Sequence, residues 1–320
     1  MKAACLVISE TLSFPYSRES IDIILKDDDC PAFYMIGSDP PVTEIAKSLD
    51  KVSPNYILVL ISGTGWDSFI TDLYRTDIPL IAWFLDDPNT LDYNKRFIHY
   101  FHTLYSVEKN AVAIYKRLGH RRAAYLPHGA DVNVFHPEQR EHSVYQSDIC
   151  VVGSACTKAA EIIRFLISQT DWRITTVGRG WNEKLTNCSI SPRLKLINYW
   201  ISPRFERYFY SSAKVVLTGF SEEAAIYNAA SIPSASPPVE LFRAAACGAF
   251  QITQRRRETA NLFPSAKLSV HAGTKEECLA LANLYLADNN KRLLMGEATL
   301  REINIEHTLR HRLRTITASP

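Results

Sequence analysis

Within Ser236-Pro-Pro-Val-Glu-Leu-Phe-Arg-Ala-Ala-Ala-Cys-Gly248, a carboxylate and a guanidinium, Glu240 and Arg243, stand three residues apart near the start of a helix. Such a pair can act on an anionic ligand, or it can close on itself across one helical turn for a few tenths of a kcal/mol. Two adjacent acids, Asp86 and Asp87, follow an apolar run and are stopped by Pro88. At a strand end they could line a cleft, hold a hard cation or cap the loop, although the other oxygen ligands that a cation needs are not apparent nearby. His128 lies beside a glycine, where a neutral imidazole can hydrogen-bond a sugar or phosphate or simply close a turn. Arg255, Arg256 and Arg257 form a cationic run that could meet phosphates, an acidic acceptor or solvent.

The elements that must position these groups follow from the pattern. Ser236 can cap a helix whose first positions are Pro237 and Pro238, since the first helical N–H groups have no intrahelical partner. Val239, Phe242 and Ala246 then share a face, Ala244, Ala245 and Cys247 keep the rest thin, and Gly248 ends the helix before the strand Ala249–Thr253. Upstream, strands are expected at Ala3–Ile8, Ala32–Ile36, Tyr56–Ile61, Pro79–Leu85, Thr103–Glu108 and Ala123–Pro127. Helices within 12–25 and at Val42–Leu49, Trp66–Tyr74 and Lys109–Leu118 alternate with them. Strand and helix continue to alternate downstream: Ile149–Ser154, Lys158–Ser168, Ile174–Trp181, Phe205–Ser212, Lys214–Thr218, Lys267–Val270, Lys275–Leu286 and Asn290–Ile303. This order predicts α/β architecture with parallel sheets covered on both faces, and ligands at the carboxyl ends of strands.

The 320 residues suit two domains. The polar stretch from His136 to Tyr145 sets the expected boundary, giving an N-terminal domain at 1–137 and a C-terminal one at 138–320. With 46% hydrophobic and 22% charged residues both can bury a core, and a net charge of +2 supplies no general field for nucleic acid or anionic membrane. Seven cysteines without a CxxC read as reduced core thiols of a cytoplasmic protein. The first eight residues read as a strand rather than a signal peptide, and no apolar run reaches the roughly 20 residues of a membrane span. Ser62-Gly-Thr-Gly65 lacks the third glycine of a dinucleotide fingerprint and does not follow the first strand, which sets NAD-dependent chemistry aside.

Several segments in order resemble one family. Phe242–Gly248 resembles the "FEAAACG" signature of the CgeB-like (spore maturation) glycosyltransferases, which are related to the retaining GT-B transferases. Trp83-Phe-Leu-Asp-Asp-Pro88, Val152-Gly-Ser154, Val177-Gly-Arg-Gly-Trp181 and Glu306–Arg312 resemble further segments of that family, and Leu126–Pro137 resembles the segment that closes the first domain of GT-B proteins. The resemblance implies two Rossmann-like domains facing a cleft, with the last helix crossing back toward the first. It further implies metal- and cofactor-independent transfer of a sugar, with retention, from a nucleotide-sugar. A UDP-sugar is expected with the base left open, and the acceptor is an unidentified carbohydrate, protein or small molecule. Gly153, Ser154, Lys158, Gly178, Arg179, Trp181, Pro238, Glu240 and Arg243 would bind the donor, with Trp181 stacking on base or sugar. Asp87 and His128 would serve the acceptor side as catalytic residues. A helix N-terminus aimed at a diphosphate suits this reading, because free N–H groups and the helix dipole favour the anion. The chain departs from the pattern in one place. The family's arginine and glutamate are exchanged into Glu240 and Arg243, and Ala235 stands where wider relatives have a second acid. An arginine cannot replace a hydrogen-bond acceptor, so the alternative is a catalytically inactive nucleotide- or sugar-binding protein on the same fold.

Overall fold

The computed structural model describes residues 3–9, 14–26, 30–36, 42–138, 142–186, 191–220, 226–263 and 270–318. The chain falls into two compact units. One is made of Met1–His128, Glu223–Ser236 and Leu309–Pro320, the other of Gly129–Glu222 and Pro237–Thr308.

The first unit is built on uninterrupted apolar runs. β1 (Ala3–Ser9), β2 (Ala32–Ile36), β3 (Tyr56–Ser62), β4 (Leu80–Phe84), β5 (Thr103–Ser106) and β6 (Ala123–Tyr125) form one sheet, ordered β2-β1-β3-β4-β5-β6, in which every pairing is parallel. Alternation sends Ala4, Leu6, Ile8, Ile57, Val59 and Ile61 into one core layer and Ala3, Cys5, Val7, Tyr56, Leu58 and Leu60 into the opposite one. A strand buried on both faces has no polar side to show, which is why these runs are continuous. The helices of this unit are α1 (Arg18–Lys26), α2 (Val42–Val52), α3 (Asp67–Tyr74), α4 (Leu91–Asn94) and α5 (Lys109–Arg117). The terminal helix, Leu309–Ala318, belongs here too, with Leu309, Leu313 and Ile316 in the second layer. Arg312 Nε donates to the carbonyls of Pro127 (2.9 Å) and His128 (3.1 Å).

The second unit repeats the scheme with β7 (Ser147–Val152), β8 (Ile174–Val177), β9 (Leu194–Ile197), β10 (Ala213–Thr218), β11 (Gln251–Gln254) and β12 (Val270–Ala272), ordered β12-β11-β10-β7-β8-β9 and all parallel. Numbered within the unit, that order is 3-2-1-4-5-6, the doubly wound arrangement in which the direction of winding reverses between β7 and β10. α6 (Thr157–Gln169), α7 (Trp181–Lys184), α8 (Pro203–Ser212), α9 (Val239–Ala246), α10 (Arg257–Leu262), α11 (Lys275–Leu286) and α12 (Asn289–Glu306) cover it. α12 lies so close to the end of α9 that a methyl at Gly296 would meet the Gly248 carbonyl oxygen at 2.2 Å.

Three local expectations change. α9 begins at Val239, two residues after the expected start, with Pro238 at its cap position and no side-chain cap. Ser236 is spent elsewhere in its own unit: its Oγ accepts from the backbone N–H of Lys109 at the start of α5 (3.1 Å). The arginine run does not stay a loop either, because Arg257 opens α10. Most of the strand expected at Lys267–Val270, and Cys188, lie outside the described residues. None of the described cysteines forms a disulfide. No helix among the described residues is long and apolar enough to cross a membrane.

Candidate functional site

The carboxyl ends of β7, β8, β10 and β11 bring together most of the residues singled out in the second half of the sequence. β7 ends in Gly153 (φ 137°) and leads through Ser154 into α6, whose first turn is capped by Cys156 Sγ accepting from Ala159 N. β8 ends in Gly178, also at φ 137°. The two turns are pressed together: Gly153 N donates to Val177 O and Ala155 N to Arg179 O, both at 2.8 Å. A methyl at Gly178 would lie 2.2 Å from the Gly153 carbonyl oxygen. Trp181 pins the pair, its indole N–H donating to that same carbonyl at 2.9 Å. Its ring is wholly buried in the core of the unit, so the stacking on base or sugar expected for it has no exposed face to use. Ser154 and Arg179 are exposed at the turns. The Arg179 guanidinium makes no hydrogen bond to the described residues.

Across the reversal point, β10 runs into Gly219, whose carbonyl accepts from Arg256 Nη2 (2.9 Å). The Gln254 amide, oriented by its hydrogen bonds, also donates to that carbonyl and accepts from Lys158 Nζ at 2.7 Å. Lys158, one residue into α6, is thereby drawn to the ends of β10 and β11. Pro238 packs beside Gly219, 3.0 Å from where a Gly219 Cβ would stand. Glu240, in the first turn of α9, reaches toward the other side: its Oε1 is 3.9 Å from the Cβ position of Gly153. That carboxylate makes no hydrogen bond to the described residues, leaving an acceptor next to a glycine turn and a helix N-terminus.

Arg243 is placed differently. One turn further along α9, its Nη1 sits 3.2 Å from Glu206 Oε2 of α8, with both side chains largely buried. Its guanidinium carbon lies 5.1 Å from the centre of the Phe135 ring. Burial pushes the Glu206 carboxyl above its ordinary range, Arg243 opposes this, and the nearby Glu240 charge adds to it. The remaining arginines disperse: Arg255 pairs with Glu277 (3.1 Å) and Arg257 with Glu258 (3.2 Å).

In the first unit the expected acceptor residues have internal tasks. Asp86 Oδ2 accepts from Ser62 Oγ (2.8 Å) and Gly63 N (2.6 Å), tying the turn after β3. Asp87 is buried, and Ser106 Oγ (2.6 Å), Tyr115 OH (2.9 and 3.0 Å) and Asn94 Nδ2 (3.0 Å) engage both of its oxygens. Burial raises its pKa from 3.8 to about 7 against the lowering effect of those hydrogen bonds, with Glu108 adding a further upward push. An acid held this way organises the strand ends around it and has little surface for an acceptor. His128 is also buried, its Nδ1 3.1 Å from Tyr16 OH, and Tyr16 stacks on Trp83. Sequence reasoning passed over Glu108. Its Oε1 caps α5 through Asn110 N (2.9 Å), and its Oε2 accepts from Ala235 N and Ser236 N (both 3.1 Å). Ala235 thus supplies a backbone donor. Metal-capable side chains gather among the described residues at Glu302, Glu306 and His307.

Comparison places this architecture among GT-B proteins. Sucrose-phosphate synthase from Thermosynechococcus elongatus matches 99% of this chain and 100% of its own, with TM-score 0.66 at 12% identity. HepE from Anabaena, solved in complex with UDP and glucose, matches 98% of this chain and 99% of its own, with TM-score 0.65 at 11% identity. Two parallel α/β units of this kind define a GT-B fold. The profile of the family described as "Glycosyl transferase-like" matches residues 157–318, half of the chain, and the chain belongs to that family. Spore protein CgeB of Bacillus subtilis is 24% identical over 223 residues, 69% of each chain. Within that family the chain is similar to CgeB.

Proposed function

We propose that the second unit binds a nucleoside-diphosphate sugar, in the first instance a UDP-sugar, at the carboxyl ends of β7, β8, β10 and β11, and that the protein transfers the sugar to an acceptor. The observation that carries this reading is the convergence of three groups at the sheet's reversal point. They are the Glu240 carboxylate beside Gly153, the Lys158 ammonium held by the Gln254 amide at the end of β11, and the N-terminus of α6 after a glycine turn. Rossmann-like sheets bind ligands at that point. Helix N–H groups and cations suit a diphosphate, and a carboxylate suits the hydroxyls of ribose or sugar. The complex of HepE with UDP and glucose supports the same assignment through the shared fold.

In this reading Lys158, Arg179 and the α6 N-terminus stabilise the nucleoside diphosphate as negative charge develops on it. The rate gain comes from groups set in place before the bond breaks. The family resemblance adds retention at the anomeric carbon and independence of metal.

The test is donor turnover with titration of the donor. UDP-glucose and other nucleotide sugars are incubated with the protein, and release of the diphosphate and the anomer formed are followed by NMR. We expect turnover with one sugar nucleotide, and a fall in donor affinity of roughly 10- to 100-fold in Glu240→Ala from the loss of a charged hydrogen bond. Unchanged affinity in Glu240→Ala would remove the carboxylate from the site. Binding without turnover under every acceptor tried would favour the non-catalytic reading that Arg243 raises.

A further inference from the structure

The exchange of acid and base on α9 leaves a question of charge: what keeps Arg243 from neutralising Glu240? The two are three residues apart on one helix, a spacing at which opposite charges attract. Yet the guanidinium is turned toward α8, where Glu206 holds it at 3.2 Å, and the Phe135 ring lies beneath it. The three charges therefore stand in the order Glu240, Arg243, Glu206, with the outer two near enough that the Glu240 charge raises the Glu206 carboxyl.

We infer that Glu206 is a positioning residue for the donor site: by binding Arg243 on the α8 side it keeps the Glu240 carboxylate available to the donor beside Gly153. This rests on the reading of Glu240 as a donor acceptor. Glu206 touches no donor itself and acts through Arg243. Three observations support it. Glu206 projects from an element that contributes nothing else to the candidate site. Its side chain and that of Arg243 are both largely buried, 12% and 14% exposed, so the pairing is a fixed part of the packing and not a transient surface contact. Glu240, by contrast, forms no hydrogen bond to the described residues although a guanidinium is available on the next turn.

A buried arginine deprived of its counter-ion seeks another, and Glu240 is the nearest carboxylate on its own helix. The consequence is specific. Glu206→Gln preserves the shape of the side chain but removes its charge, so Arg243 is expected to turn to Glu240 and take the acceptor out of the site. Removing both charges, in Glu206→Gln with Arg243→Gln, leaves Glu240 unopposed again.

The experiment is calorimetric titration of the intact protein, the single variant and the double variant with UDP, alongside circular dichroism to confirm folding. Glu206→Gln is expected to weaken UDP binding at least tenfold, and the double variant is expected to recover affinity to within about threefold of the original protein. A purely structural role for Glu206 would make the double variant as weak as the single one or weaker, which overturns the inference. Equal affinity in the single variant overturns it too. If Glu206→Gln fails to fold, Glu206→Asp replaces it: a shorter carboxylate keeps the charge near Arg243, and a tenfold loss there would contradict the account. Failure of the underlying reading shows up separately, as absence of UDP binding by the unaltered protein, and takes the inference with it.

Discussion

Gly178→Ala is expected to destabilise the protein by on the order of 4 kcal/mol. Two costs add. A residue with a side chain is strained at φ 137°, and such backbone strain costs about 1–3 kcal/mol. The new methyl would also stand 2.2 Å from the Gly153 carbonyl oxygen, and overpacking of this kind costs about 1–3 kcal/mol more. The carbonyl has little room to move away, because the Trp181 indole N–H is bonded to it and the Gly153 N–H is bonded to Val177 O. Urea unfolding followed by circular dichroism measures the loss. A shift in free energy below about 1 kcal/mol would mean that the two turns are not pressed together as described. Because the same turns form the proposed diphosphate cradle, whatever fraction of the variant folds should also bind the donor poorly.

Asp87→Asn is expected to act through pH. Folding raises the Asp87 carboxyl from 3.8 to about 7, chiefly by burial, so between those values the folded chain holds a proton that the unfolded chain has released. The contribution of this group is fully present below about pH 4 and is lost as pH rises through about 7, a change on the order of 4 kcal/mol. Asparagine does not titrate. The Ser106 and Tyr115 hydroxyls can turn to accept from its amide, since a hydroxyl both donates and accepts. Measured by urea unfolding at several pH values, the variant should therefore gain on the original protein from pH 4 to pH 8. A constant difference across that range would place the Asp87 titration elsewhere.

Sequence patterning made the scaffold legible wherever burial is two-sided. The runs Ala3–Ser9, Tyr56–Ser62 and Leu80–Phe84 have almost no polar interruption, and a parallel strand covered on both faces needs none. β9 escaped notice because it is four residues long, is interrupted by a lysine and forms the edge of the sheet. α10 escaped because Arg257, its first residue, reads with Arg255 and Arg256 as a cationic run and not as a helix start. The site was partly legible. Gly153, Gly178, Lys158 and Glu240 stand out by type and position, as glycines and charges placed at strand ends and helix starts.

What sequence did not convey was the direction each polar group faces. Ser236 has the right chemistry to cap α9, and its oxygen instead serves Lys109 N, because a cap pattern names an acceptor but not the donor it meets. Trp181 has the right chemistry to stack on a ligand, and it is buried as the bolt between two turns. Asp87 and His128 have the right chemistry for a reaction and are enclosed within the first unit. Glu206 could not have been found from local pattern at all, since its partner lies 37 residues away on another helix. Each of these side chains has a partner set by packing, not by neighbours in sequence.

The most direct measurement of the central claim is thermal unfolding with UDP and UDP-sugars, in EDTA and again with magnesium. Saturation at about 100 times the dissociation constant should stabilise the folded protein by about 2.7 kcal/mol. The account predicts a rise in Tm that is selective for one base, persists in EDTA and falls sharply in Glu240→Ala. No rise with any nucleoside diphosphate or nucleotide sugar at millimolar concentration would contradict a donor site at the carboxyl ends of β7, β8, β10 and β11, and so would an equal rise in Glu240→Ala.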